Sequence, residues 1–175
     1  FGDLNYGSPS YGVAGSCDGS RGIFQGSNNS GTTDDIDYIT VATTANATVF
    51  GQVTVRRRAS GSLGDSTKAV FAGGKVSTFE NIMDYVVYST TGNSTDFGDL
   101  TVARSNVSGI SNLTRGVFSG GYNSSSTMDY ITIASTGNAT DFGDITVARY
   151  DLAALSDGIK GLFGGGYAGG QTNVI

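Results

Sequence analysis

The side chains able to do chemistry in this sequence are carboxylates, hydroxyls, amides and a few cations, because histidine is absent and Cys17 is the single cysteine. Without imidazole no Ser-His-Asp arrangement can form, and one thiol does not supply the donors of a usual zinc or copper centre. No cofactor and no metal is expected. Cys17 reads as a partly buried, unreactive thiol, since a lone cysteine builds no disulfide framework. Asp34, Asp35 and Asp37 with Asn28 and Asn29 gather oxygen ligands but lack the glycine and glutamate positions of a calcium loop. Asp96-Phe97-Gly98 and Asp141-Phe142-Gly143 spell a tripeptide that holds magnesium in phosphoryl-transfer enzymes, yet no phosphate loop or strand lysine accompanies them. Gly164-Gly165-Gly166 and Gly169-Gly170 are not followed by Lys-Ser or Lys-Thr, so they read as turn glycines. A pair of aspartates acting on a glycosidic bond stays open, because separations in space are invisible in a sequence. The chain is read as a non-enzyme.

The elements that position these residues must be short strands. Hydrophobic residues make up 38% and charged residues 14%, which suits a folded chain better than a disordered polyelectrolyte. Glycine supplies 28 of 175 residues and proline one, so the turns rely on glycine. The net charge of −5 comes without a basic stripe, and the run Arg56-Arg57-Arg58 is isolated, so no nucleic-acid partner is expected. No apolar run is long enough for membrane insertion.

Self-comparison reveals a tandem repeat. Phe-Gly begins at Phe1, Phe50, Phe97 and Phe142, with periods of 49, 47 and 45 residues. A basic residue precedes a hydrophobic-Phe pair in Arg21-Gly22-Ile23-Phe24, Lys68-Ala69-Val70-Phe71, Arg115-Gly116-Val117-Phe118 and Lys160-Gly161-Leu162-Phe163. Asp-Tyr recurs at Asp37, Asp84 and Asp129, and the stretch from Asp84 to Arg104 matches that from Asp129 to Arg149 at 14 of 21 positions. Within the third copy, strands are expected at Val107 to Ile110, Gly116 to Ser119, Tyr130 to Ala134 and Phe142 to Val147, the last two joined by a Ser135-Thr136-Gly137-Asn138 hairpin turn. Asp151 to Leu155 has helix-start propensity, but the repeat register makes it a first strand. Four antiparallel strands per period of this length predict β-propeller blades.

The order Arg104, Gly120-Gly121, Tyr130 and Phe142 resembles the kelch repeat, with three departures. Aspartate precedes the tyrosine, phenylalanine replaces the usual tryptophan, and Ser27 stands where copy one should carry its second glycine. The wording Asp-Phe-Gly-Asp-Leu-Thr-Val-Ala-Arg, with Asp-Tyr-Ile-Thr-Ile in the repeat, also resembles kelch-like repeats in virion proteins of cyanophages and related marine phages. The resemblance implies an all-β fold of kelch-like propeller blades, and residues 1–175 read as one repeat domain; because the register calls for an Asp-Tyr strand after Asn173-Val174-Ile175, it is expected to be a segment of a larger propeller or to close only with a partner. It also implies a virion appendage such as a tail fibre, partnered by other virion proteins, by copies of itself or by a host-surface glycan. The alternatives are a purely architectural fibre or decoration module, or a bacterial cell-surface or secreted carbohydrate-binding propeller. A copper propeller of the galactose-oxidase type needs imidazoles that this chain lacks.

Comparison of the copies locates a candidate binding face. Strand direction alternates, so the loops joining second to third and fourth to first strands emerge together. The spacing from Asp37, Asp84 and Asp129 to the next Phe-Gly is always 13, whereas the distance from Gly26, Gly73 and Gly120 to those aspartates varies between 11 and 9. Copy one also carries extra residues around Tyr6 to Tyr11. The variable loops 28–33, 75–79, 122–127 and 167–172 are therefore expected on one face, with Asn28, Asn29, Lys75, Phe79, Tyr122, Asn123, Tyr167 and Gln171 as ligand contacts. Neutral drift in exposed loops is the competing account. The recurrent Arg57, Arg104 and Arg149 with the Asp-Tyr aspartates read as pairs between blades. Sequons at Asn28, Asn46, Asn93, Asn106, Asn112, Asn123 and Asn138 read as turn asparagines unless the chain meets a glycosylating route. Phe24, Phe71, Phe118 and Phe163 beside Phe50, Phe97 and Phe142 are the expected core.

Overall fold

A computed structural model of the chain describes residues 2–5, 12–26, 34–122, 125–170 and 173–175. They are all-β, with no helix among them, and their fourteen strands form four antiparallel sheets of four, four, four and two strands. The first sheet contains β1 (Ala14–Cys17), β2 (Arg21–Gln25), β3 (Asp35–Thr40) and β4 (Thr48–Gln52). The second repeats this order with β5 (Gly61–Gly64), β6 (Lys68–Ala72), β7 (Ile82–Val87) and β8 (Thr95–Asp99). The third does so with β9 (Ser108–Ser111), β10 (Arg115–Ser119), β11 (Thr127–Thr132) and β12 (Thr140–Asp144). The fourth pairs β13 (Ala153–Ser156) with β14 (Gly161–Gly164), so the segment with helical propensity is a strand. First strands pack against first strands, β1 on β5, β5 on β9 and β9 on β13.

The strand boundaries differ from the sequence expectation in the second half of the third unit. β11 begins at Thr127 and contains Asp129, while β12 ends at Asp144 rather than running to Val147. The β-branched Ile145 to Val147 looks like strand by composition, yet Val147 is exposed and the segment instead leads the chain to Arg149. The expected four-residue hairpin turn is a wider loop. Gly137 N donates to Phe97 O (2.6 Å) and Ala139 N to Asp99 O (2.8 Å), so the previous sheet fixes its path.

The repeated Phe-Gly is a β-bulge. Opposite Met83-Asp84 the partners are Gly98 and Asp96, which leaves Phe97 unmatched, and Phe50 and Phe142 are skipped in the same way. A bulge twists its strand and re-aims the extra residue. Phe50 and Phe97 are thereby buried between sheets. The two core clusters lie there, one around Ile23, Phe50, Phe71 and Tyr88, the other around Val70, Phe97, Phe118 and Ile133. Phe71 and Phe118 are fully buried, as expected. Phe24 and Phe163 are only partly buried, and Phe142 is 47% exposed against 3% for Phe50 and 2% for Phe97. Phe50 and Phe97 are covered by the loops around Gly92 and Gly137, a cover for which Phe142 has no counterpart among the described residues.

The constant residues of the repeat join each sheet to the next. Arg57 reaches Asp84 (2.5 Å) and Arg104 reaches Asp129 (2.7 Å), all four side chains being fully buried. Thr54 and Thr101 hydroxyls donate to the same two aspartates. Asp37 instead receives Asn5 N (2.7 Å) and Asn5 Nδ2 (3.1 Å). Asn46, Asn93 and Asn138 each accept a backbone N–H from the preceding outer segment, from Asp3, Gln52 and Asp99 at 3.1, 3.1 and 3.0 Å. Those three sequon asparagines are therefore seams between units. Cys17 differs from expectation too. It is exposed, on an edge strand, and its Sγ accepts Gly19 N at 3.1 Å.

Candidate functional site

The backbone of the site is built where the fourth strand of one unit passes to the first strand of the next. At equivalent places in that passage stand Gly12, Ala59, Asn106 and Asp151, all with left-handed φ between 56° and 72°. A non-glycine residue pays strain there unless its surroundings hold it. Here a chain of backbone hydrogen bonds does so: Ala59 N donates to Gly12 O (2.8 Å), Asn106 N to Ala59 O (2.7 Å) and Asp151 N to Asn106 O (3.4 Å). Asn106 Nδ2 adds a bond to Asp151 Oδ1 at 2.7 Å.

The loops between second and third strands fold down beside this floor. In the second, third and fourth units the residue following the double glycine pairs with the residue following the buried arginine. Lys75 N donates to Arg58 O (2.8 Å), Tyr122 N to Ser105 O (2.7 Å) and Tyr167 N to Tyr150 O (2.9 Å). Because these pairs sit at neighbouring seams, their side chains form a continuous row. Ring centroids lie 5.7 Å apart for Phe79 and Tyr122, 4.8 Å for Tyr122 and Tyr150, and 5.4 Å for Tyr150 and Tyr167, all in tilted geometry. Lys75 Nζ stands 5.0 Å over the Phe79 ring. A cavity of about 410 Å³ opens between row and floor, lined by Lys75, Phe79 and Tyr122 on one side and Arg58, Asn106 and Asp151 on the other. Burial, then the adjacent Tyr122 and Tyr167 phenols, push the Tyr150 hydroxyl above the usual tyrosine range. At neutral pH it is an uncharged donor.

The structure thus brings together Lys75, Phe79, Tyr122 and Tyr167 of the residues singled out in the sequence. Asn28, Asn29, Asn123 and Gln171 lie outside the described residues. No protein-family model and no curated protein matches this sequence. The site's chemistry is therefore carried by its own geometry.

Tyr150, Arg58, Asn106 and Asp151 escaped the sequence reading. A signal existed for the first two, since the constant Arg57, Arg104 and Arg149 are followed by Arg58, Ser105 and Tyr150, a change of chemistry at every copy. Asp34, Asp35 and Asp37 do not form a cluster with a further acid, and among the described residues no group of three or more His, Cys, Asp or Glu could hold a metal ion. What the arrangement offers is flat aromatic surface at a cleft, with amide, hydroxyl, carboxylate and cationic groups at its edge. Such a combination holds a ligand with alternating apolar faces and polar rims.

Proposed function

We propose that the four sheets are blades of a kelch-like β-propeller, and that the chain is a non-enzymatic binding module of a virion appendage that engages a host-surface glycan. The single observation that carries the binding role is the aromatic row from Phe79 through Tyr122 and Tyr150 to Tyr167, which crosses successive units. Pyranose rings present C–H faces that stack on aromatic rings and hydroxyls that need donors and acceptors around them. The row supplies the first, and Asn106, Asp151 and Ser105 supply the second. The contrast between constant and variable residues supports the same reading. Constant Arg, Asp and Asn hold units together, whereas the residues that change from copy to copy line the cleft. The virion setting, and partners among other virion proteins or copies of the chain, rest on the repeat wording.

A glycan array probed with the purified protein tests this, alongside Tyr122→Ala and Tyr150→Ala. Saturable binding is expected in the parent and a loss of at least about tenfold in either variant, with Tm lowered by no more than a few degrees. A parent protein that binds no saccharide would leave an architectural spacer as the surviving reading. Replacing residues 74–83 with the shorter stretch 121–128 should change which glycans are retained.

A further inference from the structure

We infer that the preferred saccharide is acidic, and that its carboxylate sits at the Arg58–Lys75 end of the aromatic row. This rests on the saccharide reading above and adds a charge and a direction to it. The three backbone pairs of the site are chemically graded along the row. Arg58 faces Lys75 in the first, Ser105 faces Tyr122 in the second, and Tyr150 faces Tyr167 in the third. Two cations therefore stand at one end and two phenols at the other.

Their placement makes the cationic end a seat rather than a solvated rim. Arg58 and Lys75 exchange backbone bonds in both directions, Arg58 N to Lys75 O at 3.1 Å and Lys75 N to Arg58 O at 2.8 Å, which fixes both stems at the same cavity. The Lys75 ammonium is further held over Phe79, the first ring of the row. A sugar stacked on Phe79 or Tyr122 would carry a ring carboxylate within reach of both. The guanidinium presents a planar fork that matches a carboxylate, and the ammonium adds a point charge. Among the described residues lining the cavity Asp151 is the one acid, and its Oδ1 accepts from Asn106 Nδ2. Glu80, beside Phe79, directs its carboxylate to the Thr78 hydroxyl at 3.3 Å. The chain as a whole carries −5, so a paired cation beside exposed rings runs against its general charge.

The test uses uronate-containing oligosaccharides and the same oligosaccharides after carboxyl reduction, titrated into the whole chain by calorimetry. The acidic forms should bind about fivefold more tightly at low salt, and the gap should close near 1 M salt, where the screening length falls to about 3 Å. Arg58→Gln and Lys75→Gln retain most of each stem and should bring acidic affinity down to that of the reduced forms measured on the same variant. Tyr122→Ala should weaken both. Equal or tighter binding of the reduced forms by the parent overturns the acidic preference while leaving saccharide binding intact. A preference that survives both Gln variants overturns the assigned seat. Binding of neither form would instead overturn the saccharide reading itself, so the two failures are distinguishable.

Discussion

Four short side chains make the same turn in every unit, and three of them can titrate. Asp18, Asp65, Asn112 and Asp157 each accept two backbone N–H groups from the residues that open the second strand, at 2.6–3.1 Å. The Arg21 and Lys160 amides hold Asp18 and Asp157 below the usual carboxylate range; for Asp65 burial pushes upward, and the Lys68 and Thr67 amides outweigh it. A carboxyl whose folded value is depressed stabilises the fold above its unfolded value, near 4, and that contribution is lost as pH falls through the lower folded value. Asn112 shows that an uncharged amide serves the same geometry. Asp65→Asn should therefore cost less than about 1 kcal/mol at pH 7. Urea midpoints measured from pH 6 down to about 2.5 should show the variant losing less stability than the parent over the acid limb. Parallel curves would mean that the turn carboxyl does not contribute to acid sensitivity.

At the scale of elements, the repeat works because each motif sits where two others need it. The basic residue that precedes the hydrophobic-Phe pair lies over the Asp-Tyr ring, Arg21 on Tyr38, Lys68 on Tyr85 and Arg115 on Tyr130, at 4.6–5.1 Å. Each tyrosine meets the Phe of the bulge edge-on at 6.0 Å. Those three motifs were legible in sequence because they recur, and their order gave the strand order correctly. The bulge was not legible, since a skipped residue leaves no mark on alternation when phenylalanine and glycine stand side by side. The pairing of Arg57 and Arg104 with the Asp-Tyr aspartates was legible, but the complete burial of Asp84 and Asp129 was not. Strand propensity disfavours aspartate, and only a guanidinium arriving from the previous unit makes its burial tolerable. Gly98 isolates the role of the seam. It has φ +134°, and a Cβ on it would lie 2.4 Å from Gly137 O, whereas Gly143 has φ +114° with nothing within 4 Å. Both alanine variants suffer backbone strain, but one alone collides with the neighbouring loop. Gly98→Ala should cost about 2–4 kcal/mol and Gly143→Ala about 1–2 kcal/mol in urea denaturation. Equal costs would show that the close approach of loop and strand adds nothing to the seam.

For the molecule as a whole, the sequence comparison of copies placed the variable loops on one face, and the row of rings joins those that the structure describes. Tyr150 left a weaker mark because the passage from fourth to first strand keeps one length in copies two to four, so that residue type alone changes there. Stability should follow the same one-dimensional logic, since each unit draws its core from the sheets beside it. The second sheet has apolar neighbours on both sides, with Val70, Phe71 and Met83 wholly buried. The fourth has two strands among the described residues, and Leu155, Ile159 and Leu162 are 63%, 90% and 49% exposed. A unit with so little buried surface opens without disturbing the others. Amide hydrogen exchange should therefore be at least about a hundredfold slower in β6 and β7 than in β13 and β14, with β10 and β11 close to the slow group. Because Phe118 and Ile133 bury against the second sheet rather than the fourth, loss of the β13–β14 protection should leave β10 unaffected. Uniform protection across all four sheets would instead require the fourth to unfold only with the rest, and that would contradict a stability built unit by unit from neighbouring seams.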